Sequence, residues 1–367
     1  MSGDARIRGG RAGSYQSRSS APRVLFHCPG RRGLGHLVRG LNLARELSAL
    51  DSSASSFFYT EGEAIALCGG EFPHFVEPDR SGSSWPDVVE DFGPDVIVYD
   101  TLLPECFPHA ELSAAPRSVY VMRKCRPARQ QEIFQHPRLQ EVDLILIPHT
   151  PSEFGYEVPV DLVGKSVFTG PITRAPSSEA KQRLREKYGL RRQEFLLTST
   201  AGGGGFLEET RSFFAAVAKI HRRLARGLDG FRHLVIRGPN FREPLPALEG
   251  MTTLEFELEA MSLFAISNLV VAQGGYNTVN EIRLAKAPAV FLPSRRNYDD
   301  QEERVRDLEQ KGLAAVFVGR SGDAIARGVE AICSSPAWFE SVRGRYAADR
   351  IEIGNRLAAA RILALLA

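Results

Sequence analysis

The sequence predicts an α/β chain built as two similar halves, each a parallel sheet covered by helices, with a cleft between them. Three observations predict it. Short apolar runs alternate with stretches of helical period, and do so twice over. A Pro- and Gly-containing crossing near residue 175 separates the two series, and glycine-bearing turns follow particular strands in both. Length agrees, since 367 residues exceed the ~250–300 that one hydrophobic core accommodates.

Residues 1–21 are dominated by Arg, Gly and Ser. They bury too little to offset the entropy of ordering, so a disordered tail is expected, without the apolar core of a secretory signal. From Arg23 the pattern changes, and residues 22–170 read as a first domain. Val24–Cys28 is a buried first strand, followed by a loop Arg31-Arg32-Gly33-Leu34-Gly35-His36. Leu37, Leu41, Ala44 and Leu47 then recur at helical spacing to about Leu50. Ser56–Tyr59, Asp95–Tyr99, Ser118–Met122 and Leu144–Pro148 are further strands.

A linker is expected at 171–177, and the alternation restarts in a second domain at 178–336. Its elements are a helix at 178–188, strand Phe195–Ser199, four glycines at 202–205, and a helix over Glu208–Ala225. Strands Leu234–Arg237 and Thr253–Phe256, helix Glu259–Ser267 and strand Leu269–Ala272 follow. Gly274-Gly275 opens a helix over Thr278–Ala285, and Ala289–Leu292 is one more strand. A helical tail at 337–367 closes the chain.

Composition excludes several classes. Basic residues number 46 against 44 acidic ones, a balance unlike the concentrated excess of a nucleic-acid binder. No run of ~18 uncharged apolar residues is present, so no membrane-spanning helix is expected. Five dispersed cysteines without a CxxC pair suggest neither a zinc knuckle nor a disulfide framework, and reduced thiols in the cytoplasm are the expected state.

Four segments carry candidate chemistry. In Gly33-Leu34-Gly35-His36 the glycines admit close backbone approach, and the following helix offers free N–H groups and a positive dipole end. A dinucleotide fingerprint fits poorly, because the third glycine, Gly40, comes five residues after Gly35 and the candidate acid, Glu61, comes twenty-six residues after it rather than about twenty. The loop does place His36 at the helix start, as a base or merely as a cap. Val96–Asp100 ends in a carboxylate at the same sheet edge, suited to orient an imidazole, though such an Asp is also an ordinary turn residue. Thr200–Gly205 forms a nest of N–H groups suited to phosphate oxygens, or a plain flexible loop, and no Walker lysine is present. Finally, Gly274-Gly275-Tyr276-Asn277-Thr278-Val279-Asn280-Glu281 reads as a strand–turn–helix with a Thr278–Glu281 capping box. Asp299-Asp300-Gln301 follows, and together these offer acceptors and donors for vicinal hydroxyls.

These segments together resemble the two-domain GT-B nucleotide-sugar glycosyltransferases, nearest the bacterial cell-wall N-acetylglucosaminyltransferase family and related predicted transferases. The resemblance is carried by residues 33–47, 200–205, 274–282 and 293–301 and spans the chain from about residue 23. It implies an acceptor-binding first domain, a donor-binding second domain, and a final helix that crosses back to the first domain. It implies His36 as the general base and Asp100 as its support, the latter as in the natural-product and plant branches. Gly35, Gly203, Gly204, Gly275, Asn277 and Thr278 match the donor-diphosphate site. Leu258 and Glu281 match the nucleoside site, and Asp300 and Gln301 the pair on the donor sugar.

The implied activity is an inverting, metal-independent transfer of a sugar, UDP-linked by the Glu281 match, to a small-molecule or glycan acceptor in natural-product or cell-envelope biosynthesis. No cofactor or metal is implied, and no D-x-D occurs in the sequence. The stretch at about 70–95 is short and acidic where the cell-wall enzymes carry an apolar and basic patch, so at most peripheral membrane contact is expected. Arg295-Arg296 reads equally as a phosphate contact and as an exposed surface loop. Alternatives on the same fold are a nucleotide-sugar hydrolase or 2-epimerase. A non-catalytic nucleotide-binding partner subunit is the alternative from another class.

Overall fold

A computed structural model describes residues 21–30, 33–61, 65, 70–78, 81–104, 115–297 and 299–367. Nearly all of the expected disordered tail, the Arg31-Arg32 pair and parts of the expected acceptor loops lie outside the described residues.

Apolar runs set the strands. In the first sheet these are β1 (Arg23–Cys28), β2 (Ser55–Thr60), β3 (His74–Val76), β4 (Val96–Asp100), β5 (Arg117–Val121), β6 (Leu144–Ile147) and β7 (Ser166–Phe168). They pair in the order β3-β2-β1-β4-β5-β6-β7, every pair parallel. The second sheet holds β8 (Phe195–Thr200), β9 (Phe231–Ile236), β10 (Met251–Leu254), β11 (Leu269–Ala272), β12 (Ala289–Phe291) and β13 (Ala314–Val316). Its order is β10-β9-β8-β11-β12-β13, again parallel throughout. β4, β6 and β11 are buried at every position, as strands covered on both faces must be.

The strand order reverses direction at β1/β4 in one sheet and at β8/β11 in the other. Loops leaving such a pair diverge to opposite faces and leave a crevice at the carboxyl edge. His36 and Asp100 follow β1 and end β4, and the two glycine turns follow β8 and β11. The topology therefore brings each pair of sequence motifs together.

The edge strands β3, β7 and β13 were not expected from the sequence. Each has three residues, too few to display a period, and β7 lies where the sequence reads as the end of the first domain. The tail is two helices rather than one. Helix Pro336–Ala348 seats Val342 and Tyr346 in the second domain's core, whereas helix Asn355–Leu363 seats Ala358, Ala359 and Ile362 in the first domain's core. The return is pinned to the outgoing crossing. Asn355 accepts from the Thr173 N–H at 2.9 Å and donates to its carbonyl at 2.8 Å. A Cβ on Gly354 would lie 2.4 Å from the Thr169 carbonyl oxygen, so only glycine permits this approach.

Candidate active site

His36 is the second residue of helix Gly35–Leu50. Its Nδ1 lies 2.9 Å from Asp100 Oδ1, 3.0 Å from the Asp100 carbonyl oxygen and 3.0 Å from Thr101 Oγ1. Two of these partners can only accept, so Nδ1 carries a proton and Nε2 is the nitrogen left to serve as a base. Thr101 has φ of 59°, a left-handed conformation that β-branched residues rarely adopt, and it turns the chain directly after Asp100.

Beneath the pair lies a residue that sequence reasoning missed. The Arg39 side chain is 2% exposed; its Nε donates to Asp100 Oδ2 at 2.9 Å, and a terminal nitrogen donates to Oδ1. Burial alone would raise the Asp100 carboxyl. The charge of Arg39 and the hydrogen bonds from His36 and Arg39 overcome that and hold it down at about 2. The available signal was spacing, since Arg39 stands three residues after His36 and thus on the same helix face.

In the second domain the glycine turns need glycine for backbone reasons. Gly202 and Gly204 have φ of 68° and 75°. A Cβ on Gly204 would lie 2.8 Å from Phe241 Cβ and 2.9 Å from the Arg237 carbonyl oxygen. Thr278 Oγ1 lies 3.9 Å from the Cβ position of both Gly202 and Gly275, so one hydroxyl sits between the two turns.

The helix after the second turn begins at Tyr276, two residues earlier than expected, with Gly275 as N-cap and no side-chain cap. The Thr278–Glu281 capping box is therefore not formed. Tyr276 anchors the earlier start, donating from its hydroxyl to the Pro148 carbonyl of the first domain. Glu281 sits a turn deeper and faces the cleft with no hydrogen-bonded or ionic side-chain partner among the described residues; burial raises its carboxyl to about 7, against a weaker pull from Arg174. Leu258 is 44% exposed on the cleft wall, and its carbonyl accepts from Arg174 at 3.1 Å.

The sugar-site pair is only half on the wall. Gln301 lines the cleft, its Oε1 accepting from the Ser294 N–H at 3.2 Å and the Ser294 hydroxyl at 3.1 Å. Asp300 instead caps helix Gln301–Gln310, accepting from the Glu303 N–H at 3.2 Å, and its place on the wall is taken by Asp299. Asp299 bridges Arg123 of the first domain, at 3.1 Å, and Arg304 of the second, at 2.7 Å. Burial raises the Asp299 carboxyl, but these two charges hold it well below the usual carboxylate range. The loop is exposed at Arg295 and Asn297, but the Arg296 side chain turns in to line the cleft, 3.5 Å above the Phe206 ring, and donates to Gln273 Oε1 at 3.2 Å.

Asn277 was expected on the donor diphosphate, yet its amide is engaged across the cleft. It donates to the Gly35 carbonyl at 3.3 Å and accepts from Arg39 at 3.2 Å. One cleft of about 1420 Å³, lined from both domains, contains His36, Gly35, Gly203, Gly204, Gly275 and Thr278 together with Arg39, Asn277, Glu281, Asp299 and Gln301. It unites an imidazole backed by a carboxylate with N–H-rich turns and a half-buried acid that has no side-chain partner among the described residues. Among the described residues, no helix is long and apolar enough to cross a membrane.

Residues 209–331 match the glycosyltransferase family 28 C-terminal domain. A protein of Methanopyrus kandleri described as an uncharacterized glycosyltransferase is 27% identical over 173 residues, 47% of each chain. The chain thus spans about half the length of that curated relative. Among solved structures, the spinosyn forosaminyltransferase SpnP superposes with a TM-score of 0.64 at 15% identity, covering 95% of this chain and all of that one. The glycosyltransferase SnogD of Streptomyces nogalater gives 0.62 at 16% identity, with 95% and 100% covered. A UDP-GlcNAc 2-epimerase of Neisseria meningitidis, solved with UDP-GlcNAc bound, gives 0.63 at 14% identity, with 94% and 99% covered. At these identities the likeness to the solved structures is one of fold, the two-domain GT-B fold, and the second domain carries the family 28 match.

Proposed function

We propose that this protein is a glycosyltransferase that moves a sugar from a nucleotide sugar, UDP-linked in the first instance, to an acceptor hydroxyl by a single inverting displacement. One observation carries the reading. The cleft that exposes the His36 imidazole, with its Nδ1 proton held by Asp100, also holds both glycine turns and the unpartnered Glu281. Nε2 of His36 takes the acceptor's proton while the oxygen attacks the anomeric carbon from the face opposite the nucleotide. Asp100 stabilises the imidazolium so formed. Charge that builds on the departing diphosphate meets the N–H groups at Gly203, Gly204 and Gly275, the Thr278 hydroxyl and the start of helix Tyr276–Ala285. Independence of metal is part of the proposal and rests on the absence of a D-x-D in the sequence.

Glu281 suits the ribose hydroxyls, since a carboxylate accepts two hydrogen bonds from a vicinal diol. Leu258 suits the base beside it, and Gln301 the donor sugar. Asp300 enters the sugar site only if the capping hydrogen bond to Glu303 gives way. UDP is favoured because a solved relative in fold carries UDP-GlcNAc.

The test is a thermal-shift screen over nucleotide sugars, with UDP, dTDP and GDP as controls. A ligand present at 100 Kd stabilises the fold by about 2.7 kcal/mol. Stabilisation by a UDP compound above the others supports the donor, and no stabilisation by any nucleotide removes the reading. Incubation with donor alone separates the alternatives: rapid sugar release marks a hydrolase, and an altered donor sugar marks an epimerase. His36→Ala should lower turnover by ~10²–10⁴ with nucleotide binding nearly intact, and near-wild-type turnover would show the base to be elsewhere.

A further inference from the structure

The cross-cleft bonds of Asn277 reach the catalytic helix at two points. One amide end holds the carbonyl of Gly35, the residue directly before His36, and the other holds Arg39. Arg39 grips both oxygens of Asp100 with Nε and one terminal nitrogen and Asn277 with the other. Guanidinium is planar and rigid, so its two edges cannot be re-aimed independently. Asn277 belongs to the helix whose start faces the glycine turns, and 238 positions separate it from Arg39. The carboxylate that orients the base is thus tied through one rigid group to the domain proposed to hold the donor.

We propose that Arg39 is a positioning residue that couples closure of the second domain to assembly of the His36–Asp100 pair, with Asn277 as its contact on the closing side. The proposal rests on the transferase reading for its purpose, but its geometry stands without it. When Asn277 departs, Arg39 keeps its charge and its grip on Asp100 but loses the anchor that sets the angle of the guanidinium plane. Asp100 then turns away from Nδ1 of His36, and the proton between them opens to solvent. A purely structural Arg39, present only to neutralise a buried carboxylate, would be indifferent to Asn277 and replaceable by lysine.

The experiment follows the Nδ1 proton of His36 by NMR in full-length protein labelled with ¹⁵N-histidine, assigned by its loss in His36→Gln. Asn277 lies on the cleft wall, so Asn277→Ala should fold. Its Nδ1 proton should exchange with solvent faster than that of wild type by about tenfold or more, as for a site released from a closed conformation. Arg39→Lys, which keeps the cation but loses the fork, should also exchange faster. Exchange within about twofold of wild type in Asn277→Ala, or full retention of protection in Arg39→Lys, would overturn the proposal. Neither measurement uses a nucleotide, so failure of the donor reading shows separately, in the thermal-shift screen.

Discussion

His36 Nδ1 and Asp100 Oδ1 stand 2.9 Å apart across 64 residues of sequence, with Asp100 held ionised by a buried arginine. The pair is preorganised to stabilise an imidazolium. Asp100→Asn keeps the shape and removes the charge. Turnover should fall by ~10²–10⁴ with little change in donor KM, read from steady-state kinetics once the donor screen has supplied a substrate. The same variant strands the Arg39 charge in the interior. Removing one partner of a buried pair costs about 3–5 kcal/mol, so urea midpoints should drop sharply. Asp100→Asn with Arg39→Met should recover part of that loss without recovering turnover. A double variant no more stable than the single would show that the pair is not the source of the cost.

Glu281 makes the donor site sensitive to pH. Its carboxyl, raised to about 7 by burial in the open cleft, is substantially protonated at neutrality. A ribose diol hydrogen-bonds best to the ionised form, so binding should release a proton, and affinity should rise as pH climbs from 6 to 8. Calorimetry in two buffers of different ionisation enthalpy counts that proton. Glu281→Gln should bind UDP more weakly and with no proton release. Unchanged proton release in that variant would assign the effect to another group.

Much of this was legible in the sequence where the signal was local. β1, β4, β8 and β11 are apolar runs; β4 ends in Asp100, and the others are followed within eight residues by His36 or a glycine turn. What lay across the cleft was not legible. Asn277 and Gly35 are 242 positions apart, and nothing in Gly-Tyr-Asn-Thr distinguishes an amide aimed at a phosphate from one aimed at another domain. The start of helix Tyr276–Ala285 was misplaced for the same reason, because the hydroxyl of Tyr276 is held by a carbonyl in the first domain. Asp300 and Asp299 were exchanged because adjacent acids ahead of a helix compete for the cap. The arginines around Asp299 decide the outcome, and one of them belongs to the other domain.

Gly204 tests whether the first glycine turn is a built site. At φ of 75° an alanine carries about 1–2 kcal/mol of strain, and its Cβ would also press on Phe241 and the Arg237 carbonyl within 3 Å. The loop must move. Gly204→Ala should lower nucleotide affinity by about tenfold or more, since one or two misdirected N–H bonds are worth that much. Gly227→Ala, in open space with nothing within 4 Å, is the matched control and should bind as wild type. Equal binding by both variants would remove the turn from the diphosphate site.

Buried histidines set the acid limit of stability. Burial lowers His27 to about 4, with the charge of His36 adding to it, and lowers His149 and His233 well below the usual range. His149 shows why: its Nε2 accepts from the Lys124 N–H at 3.0 Å, which only the neutral ring can do, and Arg304, Arg123, Lys124 and Arg39 surround it with positive charge. A free histidine takes up its proton near 6.5, so the unfolded chain binds protons that the folded chain refuses. Their contribution is complete above about 6.5 and erodes as pH falls below it, that of His27 being lost through about 4. Glu281 works in the opposite sense. Its raised carboxyl holds a proton in the fold that the unfolded chain has released, so its contribution is complete below about 4.5 and is lost as pH rises through about 7. His221 is lowered by burial as well, so between pH 5 and 6.5 the buried histidines outweigh the one acid and unfolding takes up protons on balance. Stability should therefore fall as the solution is acidified from pH 6.5 to 5. Urea denaturation at pH 7.0, 6.0 and 5.0 measures the slope. Glu281→Gln should steepen it, and His149→Gln, which preserves the acceptor for Lys124, should flatten it. A slope that neither variant moves would mean that these groups are not what titrates.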